Sequence, residues 1–400
     1  MALIPLHDNT PVPTGLWQVL ASFGFRLFFL LAALMALLMV PVWLIALNGW
    51  PEGLALQHYG SHWHAHEMLL GYTSAVIAGF LLTAAKNWTG QHTVVGTPLL
   101  ALGACWLAGR VLIWFNSPWL HGLGLLSDLL FLPLLAWFVA RPILAIKQQR
   151  NYAFPLLLVV MTAIHLFMHV ALFKQDSGLI QQSLHLVLFA ILTLMVLMAC
   201  RVVPFFTERG LSLTTPLPRN EKHDLACTIA VAVAGLSHVL IGGWFSSIWL
   251  LLAAVALGWR ISQWYNPGIW RTPLLWVLHV GMAWLVVGLA LLAWQNLHLS
   301  TLSPIASSPL HALTTGCIGL MTLGMMARVS LGHSGRPLQT VAATHWAFIL
   351  LAIAAVVRVF GVWLFSSHYL LLVSIAGYLW TAAFALFLWV YVPIWTSPSK

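Results

Sequence analysis

Apolar residues do not alternate along this chain; they come in continuous runs of about 20 residues, the length that spans a bilayer core as a helix. A lipid-facing barrel would show alternation instead and is excluded. The runs predict helices over Ser22–Leu47 and about 66–85, 96–114, 119–140, 152–173, 179–200, 224–243, 246–264, 272–294, 308–329, 340–364 and 369–392. The fold class read from the pattern is therefore all-α, a polytopic membrane protein with twelve transmembrane helices. Residues 1–21 read as a short cytoplasmic tail, 22–394 as one transmembrane domain and 395–400 as a second tail. The proline-containing stretch Arg201–His223 reads as the longest loop.

Charge orients these helices. With both termini cytoplasmic, fourteen lysines and arginines from Arg26 to Lys400 fall on the inner side, and Lys174 alone falls in an outer loop. That asymmetry follows the positive-inside rule. The net charge of +9 thus reflects topology and does not point to nucleic acid. Charged residues make up only 6% of the chain and hydrophobic ones 61%, against about 25% charged in soluble domains. The four cysteines have no CxxC or CxxCH spacing, which excludes a disulfide framework and covalently attached haem.

Polar residues inside the spans carry the functional signal, because ionisable groups in a membrane are costly. Eighteen histidines stand against eight acidic residues. Given the orientation, His62, His64, His66, His121 and His311 fall at or just under the outer surface. His165, His169, His185 and His238 fall roughly 5–15 Å below it at a 1.5 Å rise per residue. Glu67, Arg110, Asp128 and Arg358 map to the same half. Such a concentration calls for metals, haem or protons.

A faint repeat runs through the chain. His66 is followed by glycine at five and thirteen residues (Gly71, Gly79), and so is His311 (Gly316, Gly324); His185 has Ala190 and Met198 there. Arg110, His238 and Arg358 echo one another on the next helix of each set. The pattern suggests three four-helix units about a pseudo-threefold axis.

Several constellations follow. His165 and His169, four apart on one helical face, can present two imidazoles to one metal, with His185 at similar depth as a third. Three imidazoles suit copper, zinc or iron. A haem held by two histidines from facing helices is best matched in depth by His66 and His311. Arg110 and Arg358 can either pair with carboxylates, Arg110 with Asp128, or hold the propionates of a bound porphyrin. His62, His64 and Met68 can ligate a soft metal from the outer loop, or simply be solvated. Glu67 follows His66 directly and does not fully share its face; it reads as orienting a ligand on a neighbouring helix or relaying protons. No nucleophilic triad or phosphate loop stands out.

WHAHEMLLGY at 63–72, AVIAGFLLTAAKNWTG at 75–90 and HALTTGCIGLMTLGMMARVSLGHSGR at 311–336 resemble the NnrS family. The resemblance implies a bacterial inner-membrane protein that contains haem and copper and is linked to nitric oxide metabolism and nitrosative-stress resistance; it hands over no reaction, electron donor or ligand set. A looser similarity to haem–copper oxidase and nitric oxide reductase subunits lies in twelve helices and histidines on helices two, six and ten. The adjacent-histidine pair of that superfamily is missing here. The contrasting reading is a metal, haem or solute transporter or handling protein without redox turnover.

Overall fold

The structure is a computed structural model that describes residues 15–47, 49, 60–297 and 306–400. Most of the expected N-terminal tail lies outside the described residues. Twelve helices are long and apolar enough to cross a membrane: α1 Gly24–Leu47, α2 Ser61–Thr89, α3 Thr97–Trp114, α4 Pro118–Ala145, α5 Gln149–Phe173, α6 Ser177–Gly210, α7 Glu221–Leu240, α8 Gly243–Ser262, α9 Pro273–Leu297, α10 Ser308–His333, α11 Ala342–Leu364 and α12 Ser366–Thr396. The chain is a multi-pass membrane protein, all-α among the described residues.

Local chemistry sets the helix ends. Pro118, Pro273 and Pro309 open α4, α9 and α10 in the first turn, where a missing N–H leaves nothing unsatisfied. Asp176 caps α6 by accepting from the Leu179 N–H at 3.0 Å. Asn220 does the same for α7 through the N–H groups of Lys222 and His223. One boundary differs from expectation. The stretch read as loop from Arg201 is helical to Gly210, so α6 runs through Pro204. Proline removes one backbone bond, but Thr207 beyond it is fully buried and its hydroxyl bonds the Val203 carbonyl, so packing carries the helix onward.

Each helix packs on the next from α3 round to α12, and α12 returns onto α1, which packs on α2. Arg26 fastens that closure. Its guanidinium is buried and donates to the carbonyl oxygens of Ile394, Trp395 and Ser397, which are otherwise unpartnered at the end of α12. The most enclosed helix is α2, with 89% of its apolar window buried against 28% for α5. The histidine-bearing helix starting at Ser61 therefore lies at the centre, with α1, α3, α4, α6 and α10 around it.

The glycines of the sequence repeat are crossing points. A Cβ at Gly79 would meet Phe29 at 2.7 Å, and one at Gly324 would meet Val277 at 2.6 Å. So α2 lies against α1 as α10 lies against α9. At Gly109 the contact is with backbone, 2.9 Å from the Asp128 Cα, which seats α3 directly on α4. Backbone cannot rotate away as a side chain can. Gly109→Ala is expected to lower stability by about 1–3 kcal/mol through overpacking, read as a lower unfolding midpoint in detergent.

Candidate metal centre and the neighbouring cavity

The centre starts from the crowded opening of α2. After His66 the helix widens into a π-helical segment, Glu67–Thr73. Such insertions are frequent at functional sites because they re-aim side chains within a helix. Here the widening brings His66 and Glu67 together. The His66 Nδ1–H donates to Glu67 Oε1 at 2.8 Å. Consecutive residues on a regular helix diverge, so the sequence reads Glu67 as orienting a ligand on a neighbouring helix or relaying protons; in the structure it bonds its own neighbour.

That bond has a consequence. A carboxylate only accepts, so Nδ1 carries a proton, and in the neutral imidazole Nε2 is then the bare lone pair that a metal needs. Nε2 faces Asp128 Oδ2 at 3.1 Å and His165 Nε2 at 3.3 Å. His165 and His169 from α5 bring their own Nε2 atoms to the same Oδ2 at 3.1 and 3.2 Å, and to within 3.0 Å of each other. Four donor atoms from three helices converge, all within 4.8 Å of one another. Five of their six separations lie between 3.0 and 3.3 Å. A regular tetrahedron with such edges has its centre about 1.8–2.0 Å from each corner, close to metal–nitrogen bonds of about 2.0–2.1 Å.

Charge points the same way. Arg110 reaches between two carboxylates, with Nε 3.1 Å from Glu67 Oε2 and Nη2 in an ion pair with Asp128 Oδ1. Two carboxylates and one guanidinium, all buried, leave a surplus of one negative charge when the imidazoles are neutral. A buried surplus charge is expensive unless matched. A cation held by the convergent lone pairs would match it. The N₃O donor set suits copper or zinc, and the Glu67–His66 pair is the kind of outer carboxylate that fixes a metal-ligating imidazole.

A second site adjoins the first. A cavity of about 440 Å³ is lined by His62, His64, Met68, His185, His311 and Arg358, with Tyr72 and Trp380 also in its wall. His311 ends the first turn of α10, and another π-helical segment, Ala312–Gly319, begins directly after it. Its Nδ1–H donates to the Ser307 carbonyl at 2.8 Å, leaving Nε2 bare. Arg358 lies in a third such segment, Val357–Gly361. Its Nη2 donates to Ser307 Oγ at 2.9 Å, while Nη1 is buried without a hydrogen-bond partner. No ion pair joins Arg358 to an acidic residue among the described residues. His64 stacks on Trp43 at 4.8 Å, with its Nδ1 also unpartnered.

The family described as NnrS protein matches residues 19–399, and the residues that build the centre and the cavity lie in that match. The chain belongs to the NnrS family. No curated protein matches it.

In this NnrS chain the predicted site residues are regrouped. His66, expected to pair with His311, sits with His165 and His169 instead. His185, expected beside that pair, lines the cavity and stacks on His238 at 5.3 Å. Arg110 is committed to Glu67 and Asp128, whereas Arg358 stays available. The reason is azimuth. His62 and His66, one turn apart, share a face toward the centre, and His64 and Met68 share the face toward the cavity. His62 also borders both compartments. The sequence accounts for Asp128 only as an ion-pair partner of Arg110. Its signal was present in the sequence, as the lone carboxylate inside the fourth span.

The donor chemistry of the cavity fits a carboxylate-bearing macrocycle, with a bare imidazole nitrogen on His311 and an unmatched guanidinium on Arg358. Removing Arg110 would leave two buried carboxylates uncompensated. Arg110→Met is therefore expected to cost about 3–5 kcal/mol, measured as the loss of the folded fraction in a detergent unfolding titration.

Proposed function

We propose that this chain is a bacterial inner-membrane haem and copper protein of the nitric oxide response, binding or converting nitric oxide near the outer face with both termini cytoplasmic. Family membership and the convergence of His66, His165, His169 and Asp128 support this reading. The convergence carries it, because three imidazoles and a carboxylate from three helices, with Asp128 and His165 buried, present their donor atoms to one point. Copper is assigned to this centre, and haem to the cavity, where His311 would supply a nitrogen ligand and Arg358 would hold a carboxylate. Nitric oxide is small and apolar, so it reaches sites in the outer leaflet through the lipid.

When bound, copper and haem supply one-electron chemistry and open coordination positions. The protein's own residues set the conditions. Glu67 holds the proton on His66 Nδ1 and keeps Nε2 free to ligate. Arg110 fixes both carboxylates so that Asp128 presents Oδ2 to the centre. Met68, Trp43 and Trp380 keep the cavity wall apolar and limit water.

Metal analysis of the purified chain after copper loading tests the centre. One copper per chain is expected, with His165→Ala and Asp128→Asn losing most of it. Glu67→Gln is expected to weaken copper binding by about 10–100-fold, the usual effect of removing an outer-shell partner. Unchanged copper content in His165→Ala would overturn the assignment.

Haem is tested by its Soret absorption. The band is expected to survive in His165→Ala and to vanish in His311→Ala. The reverse pattern would place haem at the cluster instead.

A further inference from the structure

The cavity is continued by a line of aromatic rings. Along α12, Trp380, Phe384, Phe387, Tyr391 and Trp395 recur at intervals of four, three, four and four residues, so they share one face. All are buried. Ring centroids are 4.9 Å apart for Trp380–Phe384, 6.4 Å for Phe384–Phe387, 4.3 Å for Phe387–Tyr391 and 6.0 Å for Tyr391–Trp395. Tyr72 joins the top, 6.0 Å from Trp380 and 5.7 Å from Phe384. The fifteen-residue interval covers about 22 Å at 1.5 Å per residue, most of a hydrocarbon core of about 30 Å.

A stripe of aromatic side chains on a helix is ordinarily core packing. Three observations set this one apart. Its upper members, Tyr72 and Trp380, form part of the cavity wall. Its lower member, Trp395, lies at the opposite end of the bundle, where its carbonyl accepts from Arg26. Among the described residues, the other ring contacts form pairs and short groups that do not cross the bundle. The oxidisable rings also have their polar groups satisfied. Tyr72 donates to Thr322 Oγ1 at 2.6 Å, Trp380 Nε1–H to the Ala36 carbonyl at 2.9 Å and Trp395 Nε1–H to Ser330 Oγ at 2.7 Å.

We propose that Tyr72, Trp380, Phe384, Phe387, Tyr391 and Trp395 form an electron relay that carries single electrons from a reductant at the Arg26 end to a one-electron oxidant in the cavity. The oxidant takes one electron from the Trp380 indole. The resulting radical cation keeps its N–H, because a backbone carbonyl is too weak a base to remove it. An electron from Trp395 refills Trp380 across the rings of Phe384, Phe387 and Tyr391, which bridge the gap without themselves being oxidised. The reductant then refills Trp395. Each ring returns to its starting state, no bond is formed or broken, and one electron has passed from reductant to oxidant.

The relay requires neither metal nor haem, so it can be tested apart from the function proposed above. Ser61 is exposed at the cavity mouth and offers a labelling point. The full chain carrying Ser61→Cys, in a Cys105→Ser background, is labelled with a ruthenium(II) polypyridyl complex. It is placed in oriented vesicles with ferrocyanide confined to the side facing Trp395. A flash with an irreversible cobalt(III) acceptor on the labelled side generates ruthenium(III). A transient tryptophan radical followed by ferricyanide formation is expected. Trp380→Phe and Trp395→Phe should each cut the ferricyanide yield at least tenfold. Absence of any aromatic radical in the otherwise unaltered labelled chain would overturn the relay, and that readout does not depend on either variant folding. Equal ferricyanide yields with and without Trp395→Phe would overturn it as well.

Discussion

One guanidinium holds the functional half of this protein together. Arg110 sits on α3 between Glu67 of α2 and Asp128 of α4, and all three are buried among apolar helices. In such surroundings neither carboxylate could remain charged alone, nor could the arginine. Their mutual pairing fixes three helices at one depth. Through Asp128 it reaches a fourth, because the imidazoles of His165 and His169 on α5 converge on the carboxylate oxygen that Arg110 leaves free. Even the close approaches depend on it. Gly71 lies 3.2 Å from Glu67 Oε2 and Gly109 2.9 Å from the Asp128 backbone, measured from the Cβ that each lacks.

The same layout recurs with inverted charge at the cavity. His66 and His311 each stand directly before a π-helical segment, and each segment contains the glycine five residues on. Arg110 donates to the Leu70 carbonyl of its neighbouring helix, and Arg358 donates to Ser307. The difference lies in the acids. Glu67 has Ala312 as its counterpart in sequence, and no carboxylate among the described residues pairs with Arg358. With neutral imidazoles, the first site is left with a surplus negative charge and the second with a surplus positive one. A metal cation and a carboxylate-bearing ligand are the complements these surpluses call for. This is the physical basis on which two different cofactors are proposed for the two sites.

The fold was legible because lipid imposes a length and a composition on every span, and these are visible without any partner. Depth was legible too, since rise per residue is constant, and it gathers into one half of the bundle His66, His165 and His169, which the structure brings together. Azimuth was not. Whether His66 meets His311 or His165 depends on rotation about the axis of α2, and the π-helical widening at Glu67 alters that rotation with no marker in composition. Adjacent residues such as His66 and Glu67 look divergent on a regular helical wheel and meet here because the helix is not regular. Asp128 went unread as a ligand because a carboxylate at the depth of an arginine is already explained by an ion pair. The second oxygen, free for other work, is visible only in three dimensions.

The opposite half of the bundle bears on what can cross it. Its polar groups are bound locally. Arg260 bonds Asp224 at 2.6 Å, Arg201 bonds Asn151 at 2.7 Å, and His279 is held by the carbonyls of Leu275 and Trp264. Arg328 lies 3.9 Å over the Phe206 ring. Each of these contacts secures a helix end or a crossing, and among the described residues none joins another to form a hydrated file from the metal centre. An ion leaving the centre toward that side would have to shed its ligands into hydrocarbon, at the cost that keeps charges out of membranes. An electron faces no such barrier where rings stand in contact. The buried aromatic face of α12 supplies that contact where the polar groups do not, which favours electron supply over ion passage as the link between the two sides.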